Sequence, residues 1–337
     1  MLELPKEEIT KAEVAGLLHD LGHTPFSYST EKYLKEFYGK DHKDQTADII
    51  TGAFSNFPVD VTISTQSVPS ILEDYSYDPK EIAAIAVKRG AYSGPQYLQD
   101  MLNQPYDLDV LDSVNRWSDM GSTKVKINPS KMLNVYTIYG ESLVFNGKRL
   151  SEVRKLIAAR LFLFLEKSVE ERANFQAVDF MIEKAIDMCL QSGILSEDFV
   201  LMDDWELLRH LEGHEKANLI ISKMKMGQRY PCLVIKKIDA DAHKDLSKCI
   251  KELETELAKE MQANFSEVIV RTQHYHWPES QYPILTERGL VPVCELIDEA
   301  KTKDRGFLLL IYHAKPTQKT ANAIQHWVRH SFRNLEA

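Results

Sequence analysis

Residues 12–27, Ala-Glu-Val-Ala-Gly-Leu-Leu-His-Asp-Leu-Gly-His-Thr-Pro-Phe-Ser, constrain this chain more than any other stretch. Ala12, Ala15 and Leu18 recur every three residues, and Val14 and Leu17 widen the stripe, which is the spacing of a buried helix face. Gly22 and Pro25 then stop the helix. His19 and Asp20 therefore fall at a helix end. Neighbouring helical side chains diverge by about 100°, yet one ion seated between two of them at a terminus can touch both. Imidazole beside carboxylate suits a borderline-to-hard divalent cation such as Zn, Mn, Fe or Mg. An isolated His-Asp pair reads as a buried His beside a capping Asp. The apolar helix before this pair, and Leu-Gly-His and Pro-Phe-Ser after it, favour the metal.

The string His19-Asp-Leu-Gly-His23-x-Pro25-Phe-Ser27 resembles the HD-domain metal-dependent phosphohydrolases, in particular the branch that includes dNTP triphosphohydrolases. A second stretch, Tyr106-Asp-Leu-Asp-Val-Leu-Asp-Ser-Val-Asn-Arg116 followed by Gly121, is similar to that family's Asp-x-Asp-x-x-Asp-Tyr-x-x-Arg-Asp pattern. The resemblance implies a divalent metal ion (Mg, Mn, Zn, Fe or Ni) on His19, Asp20 and Asp109. It implies framework or substrate roles for Asp107, Asp112, Arg116 and Tyr28, and places His23 and His42 toward the phosphates. A His there can stabilise charge or protonate a leaving oxygen. The implied reaction is hydrolysis of a nucleotide or other phosphate ester by metal-activated water.

The chain also departs from that pattern. Lys43 stands where the family often has Glu in His42-x-x-x-Thr46. Tyr28 stands for His, Ser113 for Tyr and Trp117 for Asp. Glu170, Glu171 and Arg172 fall where relatives carry basic and His residues. These changes support an alternative expectation, a catalytically impaired HD-fold protein that binds a nucleotide or serves as a scaffold. The family carries another His ligand on an upstream helix, and the 18 residues before His19 contain none. The expectation is an N-terminally incomplete domain, or a first helix whose apolar face a partner subunit covers.

The chain has 337 residues, 44% hydrophobic and 27% charged, enough for two domains. A net charge of −9 disfavours general nucleic-acid binding, which needs a basic surface. Cys189, Cys232, Cys249 and Cys294 are widely spaced, as buried thiols in a reducing compartment would be. No apolar run approaches a membrane span, so a cytoplasmic protein without a membrane partner is expected.

Helices are expected at 4–18, in a pair over 29–52, at 80–88, from Tyr97 into the Asp109 helix, from Glu152 to Glu170 and from Ala173 to Gln191. Residues 53–80 read as loop-rich, with Asn56-Phe-Pro58 among their turn signals. Residues 131–150 read as a hairpin turning at Asn146-Gly147. Leu246, Ile250, Leu253, Leu257 and Met261 mark one face of a long helix, core or dimer seam. Strand-like runs follow at 267–271, 283–285, 291–294 and 307–312, and 321–332 closes as a helix. The expected fold is mainly α: a helical HD core with a β-hairpin over 1–200, then a smaller α+β domain over 201–337 that regulates or oligomerises, with a homo-oligomer as the assembly. His210 and His214 read as a solvated helix face, and His274 with His276 as an exposed aromatic loop. Lys223, Lys225, Arg229, Lys236 and Lys237 form a basic cluster, either mixed-charge surface or, through Arg229 and Lys236, an anion site.

Overall fold

The computed structural model describes residues 4–53, 66–119, 128–161, 169–275, 281–301 and 306–331. Its first helices are α1 (Lys6–Leu18), α2 (Glu31–Tyr38), α3 (His42–Thr51), α4 (Val68–Asp74), α5 (Pro79–Val87), α6 (Gln96–Asn103), α7 (Leu108–Asp119) and α8 (Pro129–Met132). A hairpin, β1 (Tyr136–Tyr139) and β2 (Ser142–Asn146), leads into α9 (Leu150–Leu161) and α10 (Val169–Gln191). Then come α11 (Asp204–Glu212), α12 (Glu215–Lys225), β3 (Cys232–Ile238), α13 (Ala240–Lys248), α14 (Ile250–Met261) and β4 (Val268–Tyr275). The last elements are β5 (Pro283–Thr286), β6 (Gly289–Pro292), β7 (Gly306–His313) and α15 (Gln318–Ser331). The chain is mainly α, with small sheets, as its periodicities imply.

Contacts divide it into two units, residues 1–166 with 278–302, and residues 167–277 with 303–337. The sequence reading placed the division after residue 200, with every later strand in one C-terminal domain. The difference has two causes. α10 packs on α12 and β3 and so belongs with the second unit. β5 and β6 return to the first, where β5 pairs parallel to β2 through Phe145–Ile284 and Asn146–Leu285.

The first unit is built around α5. Pro79 at its start and the Asp78 side chain, which accepts the Lys80 amide, set the helix going. Its residues Ile82–Val87 are all buried, so it is apolar on every side and must be enclosed. α1, α3, α4 and α6 enclose it. From α1, Ala12, Val14, Ala15 and Leu18 face this core, whereas Leu17 points out, 81% exposed. The hairpin turns at Gly140-Glu141, with Tyr139 opposite Ser142, and Gly140 takes φ +61°, a conformation glycine adopts without strain. The turn expected at Asn146-Gly147 is instead the lead-in to α9, where the Asn146 side chain accepts the Lys148 amide. Buried Asp100 on α6 accepts the Leu143 amide at 3.1 Å and so pins this sheet, of order β1-β2-β5-β6, to the helices.

The second unit holds the antiparallel sheet β3-β7-β4. Leu246, Leu257, Ala258, Ile324 and Trp327 pack with Val268, Val270, Leu309 and Ile311 in its core. The long helix expected through Leu246–Met261 is broken at Cys249 into α13 and α14. A buried ionic network joins helices to sheet. Glu254 accepts from Lys184 at 2.6 Å, Arg271 at 2.8 Å and the Val270 amide at 3.0 Å. Arg271 also donates to Glu183 at 3.0 Å. Among the described residues no helix is long and apolar enough to cross a membrane.

Candidate functional site

His19 is the residue on which α1 ends. Its Nδ1 lies 2.7 Å from the Gly16 carbonyl oxygen. A carbonyl only accepts, so Nδ1 carries a hydrogen, and in the neutral ring Nε2 then holds the lone pair. That Nε2 is buried without a hydrogen-bond partner. Facing it are the Asp20 carboxylate at 3.3 Å and the Asp109 carboxylate at 3.9 Å. One ligand atom from each of the three side chains lies within 4.8 Å of the others. Three electron-pair donors converging in this way repel one another unless a cation lies between them. The donor set, one imidazole nitrogen and two carboxylate oxygens, is the kind that a divalent ion accepts. The Nδ1 bond to Gly16 is the outer support that metal-binding imidazoles regularly have. The residues thus fit the ion.

Asp109 reaches this point because α7 begins just before it. The Asp107 carboxylate accepts the Val110 amide at 2.9 Å and caps that helix. Burial pushes the Asp107 carboxyl up to about 6. Asp20 is held below its ordinary value, first by its hydrogen bond with His23 and then by the charges of the surrounding imidazoles.

Beyond the triad the imidazoles pair up. His23, whose Nε2 lies 3.4 Å from Asp20, stacks on His42 at 4.3 Å with 7° between the rings. Tyr28 stands edge-on to both, at 5.0 Å from His23 and 5.7 Å from His42. Partial burial, then the Asp20 and Asp109 charges, raise the Tyr28 phenol, so it stays protonated. His42 is oriented by Glu31, which accepts from its Nδ1 at 2.5 Å and from its backbone amide at 3.2 Å. Although burial acts to raise Glu31, these two bonds hold it below its ordinary value.

His42 opens α3, whose start is fixed by a capping box between Asp41 and Asp44. Arg89 donates to both of those carboxylates, at 2.8 Å and 2.7 Å. Lys43 turns away from the stack and donates to Asn103 at 2.9 Å. The sequence reading missed Glu31 and Arg89. Glu31 lies 11 positions from His42, and Arg89 lies 48 and 45 positions from Asp41 and Asp44, at no helical or strand spacing, so only the tertiary packing brings each to its partner.

The remaining expectations divide. Asp112 and Arg116 form an exposed ion pair along α7 at 2.8 Å, not part of the triad. Ser113 donates to the Val110 carbonyl of its own helix. In the second unit Lys225 pairs with Glu212, and Lys223 donates to the Ala314 carbonyl at 3.1 Å. Two cations of the basic cluster are thus engaged in packing, while Arg229 is exposed and Lys236 lies mid-way along β3. His214 caps α12 by accepting the Ala217 amide. Gly121, His276 and Asn56–Pro58 lie outside the described residues, as do the side chains of Trp117, Glu170, Glu171, Arg172 and His274.

Residues 1–89 match the HD domain family. Over 246 residues the chain is 23% identical to the deoxynucleoside triphosphate triphosphohydrolase SAMHD1 homolog of Dictyostelium discoideum, covering 68% of this chain. The chain spans about half of that protein's length, 45%. A solved phosphohydrolase from Bacteroides thetaiotaomicron superposes with a TM-score of 0.62 at 16% identity, over 93% of this chain and 81% of that one. A hypothetical protein from Aquifex aeolicus does so with a TM-score of 0.64, also at 16% identity, over 95% of this chain and 81% of that one. HD domains in general bind divalent metal ions. The first 89 residues thus match the HD domain family, and over nearly its whole length the chain shares the fold of those two solved structures.

Proposed function

We propose that this chain hydrolyses a phosphate ester of the nucleotide class at a divalent metal ion held by His19, Asp20 and Asp109. The observation that carries the proposal is the buried His19 Nε2, turned by the Gly16 bond to face two carboxylates and otherwise without a partner. A divalent ion there supplies positive charge to a phosphoryl oxygen and acidifies bound water. The side chains supply the rest. Asp20, held ionised by His23, keeps one ligand charged across the neutral range. His42 keeps its Nδ1 hydrogen on Glu31, so its Nε2 is the atom that gives or takes a proton at the phosphate. The Tyr28 phenol donates a hydrogen bond to the ester from the rim of the stack.

Phosphate release from nucleoside mono-, di- and triphosphates and p-nitrophenyl phosphate, with Mn, Mg, Zn or Fe added, tests this. Release by the natural chain and its loss in Asp109→Asn is the expected pair of results. No release with any metal, or undiminished release from the variant, overturns it. A second reading, a nucleotide-binding relative that has lost turnover, is favoured by Ser113 and Lys43, whose polar groups are engaged away from the triad. Saturable nucleotide binding without phosphate release identifies that case.

A further inference from the structure

The turn that carries His19 and Asp20 is held from outside by one hydroxyl. Thr46, on α3, is completely buried. Its Oγ1 accepts the Gly22 amide at 2.8 Å and donates to the His19 carbonyl at 3.2 Å. A threonine inside a helix ordinarily turns its hydroxyl back to the carbonyl four residues earlier. Here that carbonyl belongs to His42, and it packs against Gly22 instead, so close that a Cβ on Gly22 would lie under 3.0 Å from it. The hydroxyl is thereby directed to the turn, and both its donor and its acceptor capacity are used there. His19 is fixed at two points, its ring by Gly16 and its peptide carbonyl by Thr46. Asp20 follows directly, and its own carbonyl accepts the His23 amide at 3.2 Å.

We propose that Thr46 is a positioning residue for the metal ligands: its hydroxyl, bridging Gly22 N and His19 O, holds the His19 ring and the Asp20 carboxylate in ligand geometry. The inference rests on the reading of His19 and Asp20 as metal ligands. It adds that the turn does not hold that geometry without a buried bridge from α3. An outer support of this kind is typically worth 10- to 100-fold in metal affinity.

The test compares Thr46→Ser, which keeps the hydroxyl, with Thr46→Ala, which removes it. Both are made in the full chain and read in two ways. The first is affinity for Co²⁺ alone, followed by its visible absorption. The second is the ring-nitrogen NMR signature of His19 without metal. Thr46→Ser is expected within about threefold of the natural affinity. Thr46→Ala is expected to lose roughly tenfold or more and to shift His19 from a single ring tautomer toward a mixture. Natural affinity and an unchanged His19 signature in Thr46→Ala overturn the proposal. If the natural chain takes up no Co²⁺, the metal reading fails. The positioning claim is then decided by the His19 signature, where a shift in Thr46→Ala supports it and no shift overturns it. Should Thr46→Ala not fold, Thr46→Cys serves in its place. Its weaker thiol hydrogen bonds should give an intermediate loss, and equality with the natural chain overturns the proposal.

Discussion

Gly22 and Gly16 lie six residues apart, and the same change, glycine to alanine, should act on them with opposite sign. A methyl at Gly22 would sit under 3.0 Å from the His42 carbonyl oxygen and the Thr46 amide nitrogen, and 2.7 Å from Thr46 Oγ1. The first two are backbone atoms and cannot swing aside. Non-bonded separations of roughly 3.5 Å require the turn and α3 to part by at least about 0.5 Å. That stretches both Thr46 hydrogen bonds in a buried setting, where an orphaned polar group costs about 1–3 kcal/mol. Overpacking adds a further cost of roughly 1–3 kcal/mol. Gly22→Ala should therefore destabilise the first unit by about 2–6 kcal/mol.

At Gly16, by contrast, the nearest atom to a new methyl is Leu102 Cδ2 at 3.9 Å, an ordinary contact inside α1. Gly16→Ala should stabilise by roughly 0.5–1 kcal/mol. Urea unfolding followed by far-ultraviolet circular dichroism, in buffer with EDTA, measures both. A Gly22→Ala protein within 1 kcal/mol of the natural one would refute the claimed close approach of α3 to the turn, and with it the explanation of why glycine stands there.

Three further outcomes are expected. In the second unit, Glu254→Gln removes the charge that three donors share and should cost about 3–5 kcal/mol. Lys184→Met with Glu254→Gln should cost less than the sum of the singles, because the second change meets a pair already broken; additive losses in a double-mutant cycle would count against the network. Asp107 makes stability pH-dependent. Its folded-state value of about 6, raised by burial, exceeds the ordinary 3.8. The folded state thus holds its proton more tightly, and this contribution falls as pH rises from 4 through 6, by about 3 kcal/mol. Asp107→Asn, which keeps an acceptor for the Val110 amide, should flatten that fall in metal-free unfolding curves, and an unchanged pH profile speaks against the burial argument. Finally, Glu31→Ala removes the acceptor that orients the His42 ring and its backbone amide and should move the ring-nitrogen NMR signature of His42 from a single tautomer toward a mixture; an unchanged signature would show the bond to be unimportant.

The elements that carry the candidate site were legible because their strongest signals are local. The apolar spacing through Leu18, broken at Gly22 and Pro25, fixes where α1 ends and so where His19 and Asp20 stand. Asp109 could be placed by resemblance because it lies in a second short motif that starts a helix. What could not be read is what joins distant elements. Thr46 could be matched to a pattern, but its bridge to Gly22 and His19 exists only when α3 packs on the turn. Glu31 likewise reaches His42, and Arg89 the Asp41 and Asp44 carboxylates at the start of α3, through tertiary contacts alone. The misplaced division at residue 200 has the same origin. The runs at 283–285 and 291–294 read locally as strands, and nothing in them tells whether their partner is β7, near in sequence, or β2, about 140 residues earlier. The break of the expected long helix at Cys249 and the hairpin turn at Gly140 are smaller cases. In each, apolar spacing carried past a change of chain direction.

Anomalous diffraction from crystals of the full chain grown with Mn²⁺ tests the metal assignment most directly. One peak, about 2.0–2.3 Å from His19 Nε2 and from an oxygen of each of Asp20 and Asp109, and absent from Asp109→Asn crystals, is the result expected. A peak elsewhere, or none between these three side chains at saturating Mn²⁺, contradicts the assignment.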